Sequence, residues 1–114
     1  LYGCFVIVGF SGETKESARS LDELKSLGTL ANTVKADIST IEGAQNLVAE
    51  VEKMFGRIDL LVNCVKFAPD STFEDITEDV FDKISNANLK SVFFVTQAAL
   101  RLMKMRPKPK IVNV

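Results

Sequence analysis

Short, unbroken apolar runs alternate along this chain with longer stretches whose apolar residues return every three or four positions. That alternation narrows the fold more than any other feature. The run Cys4-Phe5-Val6-Ile7-Val8 is β-branched and aromatic, as expected of a strand covered on both faces. Gly9 to Gly12 breaks it. Ala18, Leu21, Leu24 and Leu27 then follow helical spacing, and Gly28 stands where a helix stops. Thr33 to Ala36 reads as a short strand leading into Asp37. Ser39-Thr40-Ile41-Glu42 has the form of a capping box, and the helix it opens carries the stripe Ile41, Ala44, Leu47, Val48, Val51 and Phe55 before Gly56 ends it. Ile58 to Val62 is a third strand, ending at Asn63. A loop with Pro69 follows, and Thr77, Glu78 and Asp79 start a helical stretch that runs to about Met105. Pro107 and Pro109 close it, and Lys110 to Val114 begins a fourth strand. Strands separated by helices predict an α/β fold with a doubly wound parallel sheet, residues 1–114 forming one partial domain.

Composition removes several function classes. The chain has 114 residues, is 46% hydrophobic and carries a net charge of −1, so it collapses into a core and lacks the basic footprint of a nucleic-acid binder. Arg101, Lys104, Arg106, Lys108 and Lys110 read as a solvated helix end. No apolar run approaches the ~20 residues of a membrane span. Histidine is absent, which excludes Ser-His-Asp and Cys-His nucleophilic sites and histidine-dependent zinc; no metal site is expected. Cys4 and Cys64 read as buried small hydrophobes in a reducing cytoplasm rather than a disulfide. The first residue is Leu1 and the last, Val114, falls within an apolar run, so an internal piece of a longer chain is expected.

Ligands of such sheets bind beyond the carboxyl ends of the strands. Those ends hold Gly9 to Gly12, Asp37-Ile38 and Asn63 to Lys66. Asp37 and Asn63 each interrupt an apolar run, which fits a ligand crevice and fits loop-opening turns equally well. Ser85, Asn86 and Asn88 cluster inside the last helical stretch and predict a local bulge or a bound water there.

Four phrases, in order and in register, resemble the short-chain dehydrogenase/reductase family. Phe55-Gly56-Arg57-Ile58-Asp59-Leu60-Leu61-Val62-Asn63 is similar to the family's F-G-x-I-D-x-L-V-N, which leads into N-N-A-G. Ala36-Asp37-Ile38-Ser39 resembles A-D-V-S. Asn88-Leu89-Lys90-Ser91-Val92-Phe93 resembles N-L-K-G-V-F, and Ile111-Val112-Asn113-Val114 resembles the I-V-N-x before the catalytic serine. The resemblance is nearest to the ketoacyl-carrier-protein reductases. It covers essentially the whole chain and implies an incomplete Rossmann-like fold running from the family's strand two to its strand five. The first strand with the glycine-rich phosphate loop, and the Ser and Tyr-x-x-x-Lys groups, are not in the chain. Gly9-Phe10-Ser11-Gly12 does not substitute for that loop: a third glycine is missing, and Glu13 would meet the phosphate.

The resemblance implies roles for particular residues. Asp37 would accept from the adenine amino group, Ile38 would line the adenine pocket, and Asn63 would steady the sheet beside the adenosine ribose. Asn88 would hold the water of a proton relay. Cys64-Val65-Lys66 departs from the family's N-A-G, whose small residues let backbone approach the cofactor. At the end of the first strand no acid stands ready for a ribose 2′-hydroxyl, and Ser11 can hydrogen-bond a 2′-phosphate, so NADP(H) is favoured over NAD(H). The expectation is an oxidoreductase acting on a small carbonyl or alcohol, forming a homo-oligomer through the helix Thr77 to Met105. That helix holds Leu89, Val92, Phe93, Val95, Ala98, Ala99 and Leu102. The alternative is a non-catalytic binding or interaction module, which Cys64-Val65-Lys66 favours. A flavodoxin-like or receiver domain fits poorly, because Asp59 lies in a strand run and no acidic pocket surrounds Asp37. In the family's strand order, 3-2-1-4-5, the first strand lies between Cys4–Val8 and Ile58–Val62. Without it both keep open apolar edges, and the isolated chain is expected to aggregate, exchange strands or stay loose.

Overall fold

The computed structural model describes residues 4–12 and 14–114. Leu1 and Glu13 lie outside the described residues. The elements alternate as the pattern requires: β1 (Phe5–Phe10), α1 (Thr14–Ser26), β2 (Leu30–Lys35), α2 (Ile41–Phe55), β3 (Leu60–Asn63), α3 (Glu78–Ser85), α4 (Ser91–Met103) and β4 (Lys110–Asn113). A 3-10 turn at Phe73–Asp75 precedes α3, and a π-helical turn at Asn86–Lys90 joins α3 to α4. The fold is α/β and Rossmann-like.

The strands form two parallel pairs rather than one sheet. β1 pairs with β2, Phe5 opposite Leu30 through Phe10 opposite Lys35, and β3 pairs with β4, Leu60 opposite Lys110 through Asn63 opposite Asn113. No ladder joins β1 to β3 among the described residues. Helix α2 spans the two pairs instead. Its Phe55 ring lies against Phe5, centroids 5.1 Å apart, and its Leu47 sits over Gly9. On its other side Val48 joins Ala99, Leu102 and Met103 in the main apolar cluster, with Ile58, Leu61 and Ala98 packed around them. The Glu52 carboxylate and the Arg101 guanidinium, paired on both forks, tie α2 to α4.

Several expectations are corrected here. The strands are not covered on both faces: Phe5 is 62% exposed and every residue of β4 is exposed. Cys4 and Cys64 are free and exposed, because one precedes an edge strand and the other follows β3 into the loop. Gly9 belongs to β1 rather than ending it; a Cβ there would meet Leu47 Cδ2 at 2.8 Å, so the helix sits close on the strand. Thr40, not Ser39, caps α2. Its extended backbone lets its hydroxyl accept from the Gly43 amide at 3.0 Å, while Ser39 turns to Asp37. Leu27 falls past the end of α1 and is exposed, with Gly28 in the left-handed conformation behind it. The basic cluster is only partly solvated: Arg101 pairs with Glu52, and Arg106 reaches Asp59 at 2.5 Å. The bulge expected near Asn88 is present as the π-turn.

Candidate functional site

Within each pair the strands are parallel, and α2 runs back from the end of β2 to the start of β3. The carboxyl ends of both pairs therefore face one side. Ser11 follows β1 in an exposed bend, Asp37 and Ile38 follow β2, and Asn63 ends β3. The structure brings these residues to one edge of the molecule.

A local network builds the Asp37 turn. Asp37 Oδ1 accepts from the Ser39 hydroxyl at 2.6 Å and the Ser39 amide at 3.1 Å. The Asp37 carbonyl accepts from the Thr40 hydroxyl at 2.9 Å and the Thr40 amide at 3.2 Å. Gly43 closes the turn by having no side chain: a Cβ there would lie 1.8 Å from the Asp37 carbonyl oxygen. The result is an exposed carboxylate held at a strand end, with Oδ2 unpartnered among the described residues. A shallow hollow of about 320 Å³ lies beside it, bounded by Lys35, Asp37, Thr40, Glu42, Gly43 and Asn46. Ile38, the next residue, is half-buried and does not line the hollow.

Asn63 sits differently. It is 5% exposed, and its Nδ2 donates to Asn113 Oδ1 at 2.8 Å and to Thr96 Oγ1 at 3.2 Å. Both amide hydrogens are thereby used within the fold, which ties the ends of β3 and β4 to α4. The carbonyl of Asn63 also accepts from the Val114 amide at 3.0 Å.

Asn88 lies in the π-turn and grips the segment after β3 with both ends of its amide. Oδ1 accepts from the Phe67 amide at 2.8 Å, and Nδ2 donates to the Phe67 carbonyl at 2.7 Å. This imitates one rung of a sheet ladder and pins the segment after β3 at Phe67. Val65 is half-buried, whereas Cys64 and Lys66 are exposed.

A larger groove of about 450 Å³ runs between α2 and α4, past Ile41, Gln45, Phe94, Gln97 and Arg101. Its one charged side chain is already paired: the Glu52 carboxylate holds the Arg101 guanidinium charged, and Arg101 holds the Glu52 carboxyl below its ordinary value. It begins at the first turns of α2, where Asn46 borders both it and the hollow beside Asp37, and it offers no unpaired charged side chain. Among the described residues no group of His, Cys, Asp and Glu could hold a metal, and no helix is long and apolar enough to cross a membrane.

The family model described as short chain dehydrogenase matches residues 1–114. The chain belongs to the short-chain dehydrogenase/reductase family. A short-chain dehydrogenase/reductase from Cladobotryum sp, FrzI, is 31% identical over 112 residues, which are 98% of this chain and 43% of that protein. An L-rhamnose 1-dehydrogenase (NAD(P)(+)) from Azotobacter vinelandii is 33% identical over 90% of this chain and 41% of its own length. Among solved structures, the NADH-dependent reductase A1-R′ of alginate metabolism superposes with a TM-score of 0.87. It covers 98% of this chain and 48% of that one at 24% identity, a likeness of fold. The chain thus spans less than half the length of these relatives.

Among the residues at the strand ends, the Asp37 carboxylate is the one group described with an oxygen left open to a donor. An ionised carboxylate is acceptor-only, and an exocyclic amine is a donor that matches the open Oδ2 of Asp37. Sequence reasoning did not single out Gly43 or Thr96. Gly43 carried a signal, since glycine in the first turn of a helix loses stability unless a close approach requires it. Thr96 carried none, because its partner lies 33 residues away.

Proposed function

We propose that residues 1–114 form part of the cofactor-binding and catalytic domain of an NADP(H)-dependent oxidoreductase. It reduces a ketoacyl-type or small ketone carbonyl, or oxidises the matching alcohol. The observation that carries this reading is the Asp37 turn, an exposed carboxylate pre-set at a strand end by four local hydrogen bonds. Asp37 accepts from the adenine amine, and Ile38 packs beside the ring. Asn63 holds the β3 end that borders the ribose. Ser11, just past the end of β1, donates to a 2′-phosphate: Gly9-Phe10-Ser11 carries no carboxylate to repel that group or to accept from a ribose 2′-hydroxyl. When bound, the nicotinamide supplies the hydride. Asn88 steadies the segment after β3 through Phe67 and belongs to the proton relay.

The long helix supports a second copy as partner. Val95, Ala99 and Leu102 are buried in the core, while Leu89 and Phe93, one turn apart, are 72% and 60% exposed. Free thiols at Cys4 and Cys64 suit a reducing cytoplasm.

Fluorescence titration of the complete protein with NADPH and NADH tests the reading. Saturable binding of both, tighter for NADPH, is the expected outcome. Equal or tighter NADH binding overturns the cofactor choice. Binding of neither leaves the non-catalytic module, which Cys64-Val65-Lys66 favours, as the better account.

A further inference from the structure

The helical stretch from Glu78 to Met103 changes its hydrogen-bond step once. The Ser91 amide donates to the Asn86 carbonyl, five residues back, so the Ala87 carbonyl loses the partner that an α-helix would give it. The Ser91 side chain replaces that partner: Oγ donates to the Ala87 carbonyl. Ser91 is 1% exposed, in a place where an unpaired carbonyl is costly. The same turn aims Asn88 at the Phe67 backbone, 21 residues away.

We propose that Ser91 is a positioning residue: by bonding the carbonyl that the π-turn frees, its hydroxyl keeps Asn88 in the register that clamps Phe67, and so shapes the segment after β3. Two departures of this chain from the family phrases meet in that clamp. Ser91 stands where N-L-K-G-V-F has glycine, which offers no hydroxyl, and Cys64-Val65-Lys66 stands where N-A-G has smaller residues. Without the hydroxyl the turn tends to revert to the α step, with the Ser91 amide returning to the Ala87 carbonyl. A π-turn holds one residue more than the α-turn it would become, so reversion rotates Asn88 away from Phe67.

Amide hydrogen exchange in the complete protein tests this directly, comparing Ser91→Ala, Asn88→Ala and the double variant. Ser91→Ala is expected to speed exchange of the Phe67 amide about tenfold. The Gly56 amide, which donates to the Glu52 carbonyl at 2.8 Å, should keep its rate. In the Asn88→Ala background, removing the hydroxyl should add little, because both changes break one clamp. An unchanged Phe67 rate overturns the proposal. So does an equal rise at Gly56, which signals general loosening, or a full additive effect in the double variant. Ser91→Gly, which introduces no new atoms, gives the same readings if Ser91→Ala folds poorly. The consequence for catalysis rests on the proposed function, and the kcat of the Ser91→Ala enzyme reads it separately. Faster Phe67 exchange with unchanged kcat sustains the positioning role and overturns the placement of this segment beside the cofactor.

Discussion

Asp37 and Asn63 both end apolar strands, yet they are held in opposite ways. The Asp37 turn is built from residues two to six positions ahead, and its carboxylate stays exposed. Asn63 is buried and takes its partners from 33 and 50 residues away. The difference separates a group available to a ligand from a group committed to the fold. Local hydrogen bonds fix Asp37 Oδ1 without desolvating the carboxylate, so a ligand's donor finds Oδ2 ready. Asn63 has already placed both amide hydrogens, and its value lies in the alignment of β3, β4 and α4.

The strongest way to break the contrast is through Gly43. Gly43→Ala forces a methyl group into the Asp37 carbonyl, whose oxygen would lie 1.8 Å from the new Cβ. Backbone cannot yield as a flexible side chain does, so a loss of about 3 kcal/mol is expected in urea denaturation. Weaker NADPH binding should accompany it, because the turn that presents Asp37 is displaced. An unchanged midpoint would mean that α2 can shift its first turn freely.

Asn63→Ala comes next. It removes two partly buried hydrogen bonds and leaves the Thr96 and Asn113 side chains without them, at about 2 kcal/mol of stability. NADPH affinity of the folded fraction should move little. A large affinity loss at full stability would show that Asn63 is a direct ligand contact and erase its contrast with Asp37.

Asp37→Asn should do the reverse. Stability should hold within about 0.5 kcal/mol, since the side chain is exposed and still accepts from Ser39. NADPH affinity, read by isothermal titration calorimetry, should fall about fivefold with the loss of a charged acceptor for the adenine amine.

The smallest effect concerns pH and serves as a control remote from both sites. Hydrogen bonding to Arg101 holds the Glu52 carboxyl below its ordinary value of 4.5. A depressed carboxyl adds stability above the unfolded value, and that stability is lost as pH falls through 4.5 and below. Both side chains are substantially exposed, so salt screens the pair. Glu52→Gln should flatten the acid limb of denaturation midpoints measured from about pH 6 to about pH 3 without moving NADPH binding. An acid limb of unchanged slope would assign the loss to other carboxylates.

Much of the fold was legible because its signals are local. The continuous run from Cys4 to Val8, the stripe from Ile41 to Phe55 and the asparagine cluster before Ser91 each state the backbone's choice within a few residues. The bulge near Asn88 could be foreseen for that reason, since polar residues interrupting an apolar helix disturb its step. The Thr40 cap was misplaced by one residue because Ser39 and Thr40 have the same chemistry, and only the competing bond to Asp37 assigns Ser39 elsewhere. Cys4 and Cys64 were misjudged because apolar neighbours do not reveal whether a strand has a partner on its far side.

By itself the sequence determined the order of strands and helices and the family, because those signals lie in runs and phrases of a few residues. Tertiary structure alone decided that the strands stand as two pairs bridged by α2, that Asn63 answers to Thr96 and Asn113, and that Asn88 holds Phe67. Such contacts join residues 21 to 50 positions apart. No periodicity or spacing encodes them; the packing of α2 and α4 against the strands does.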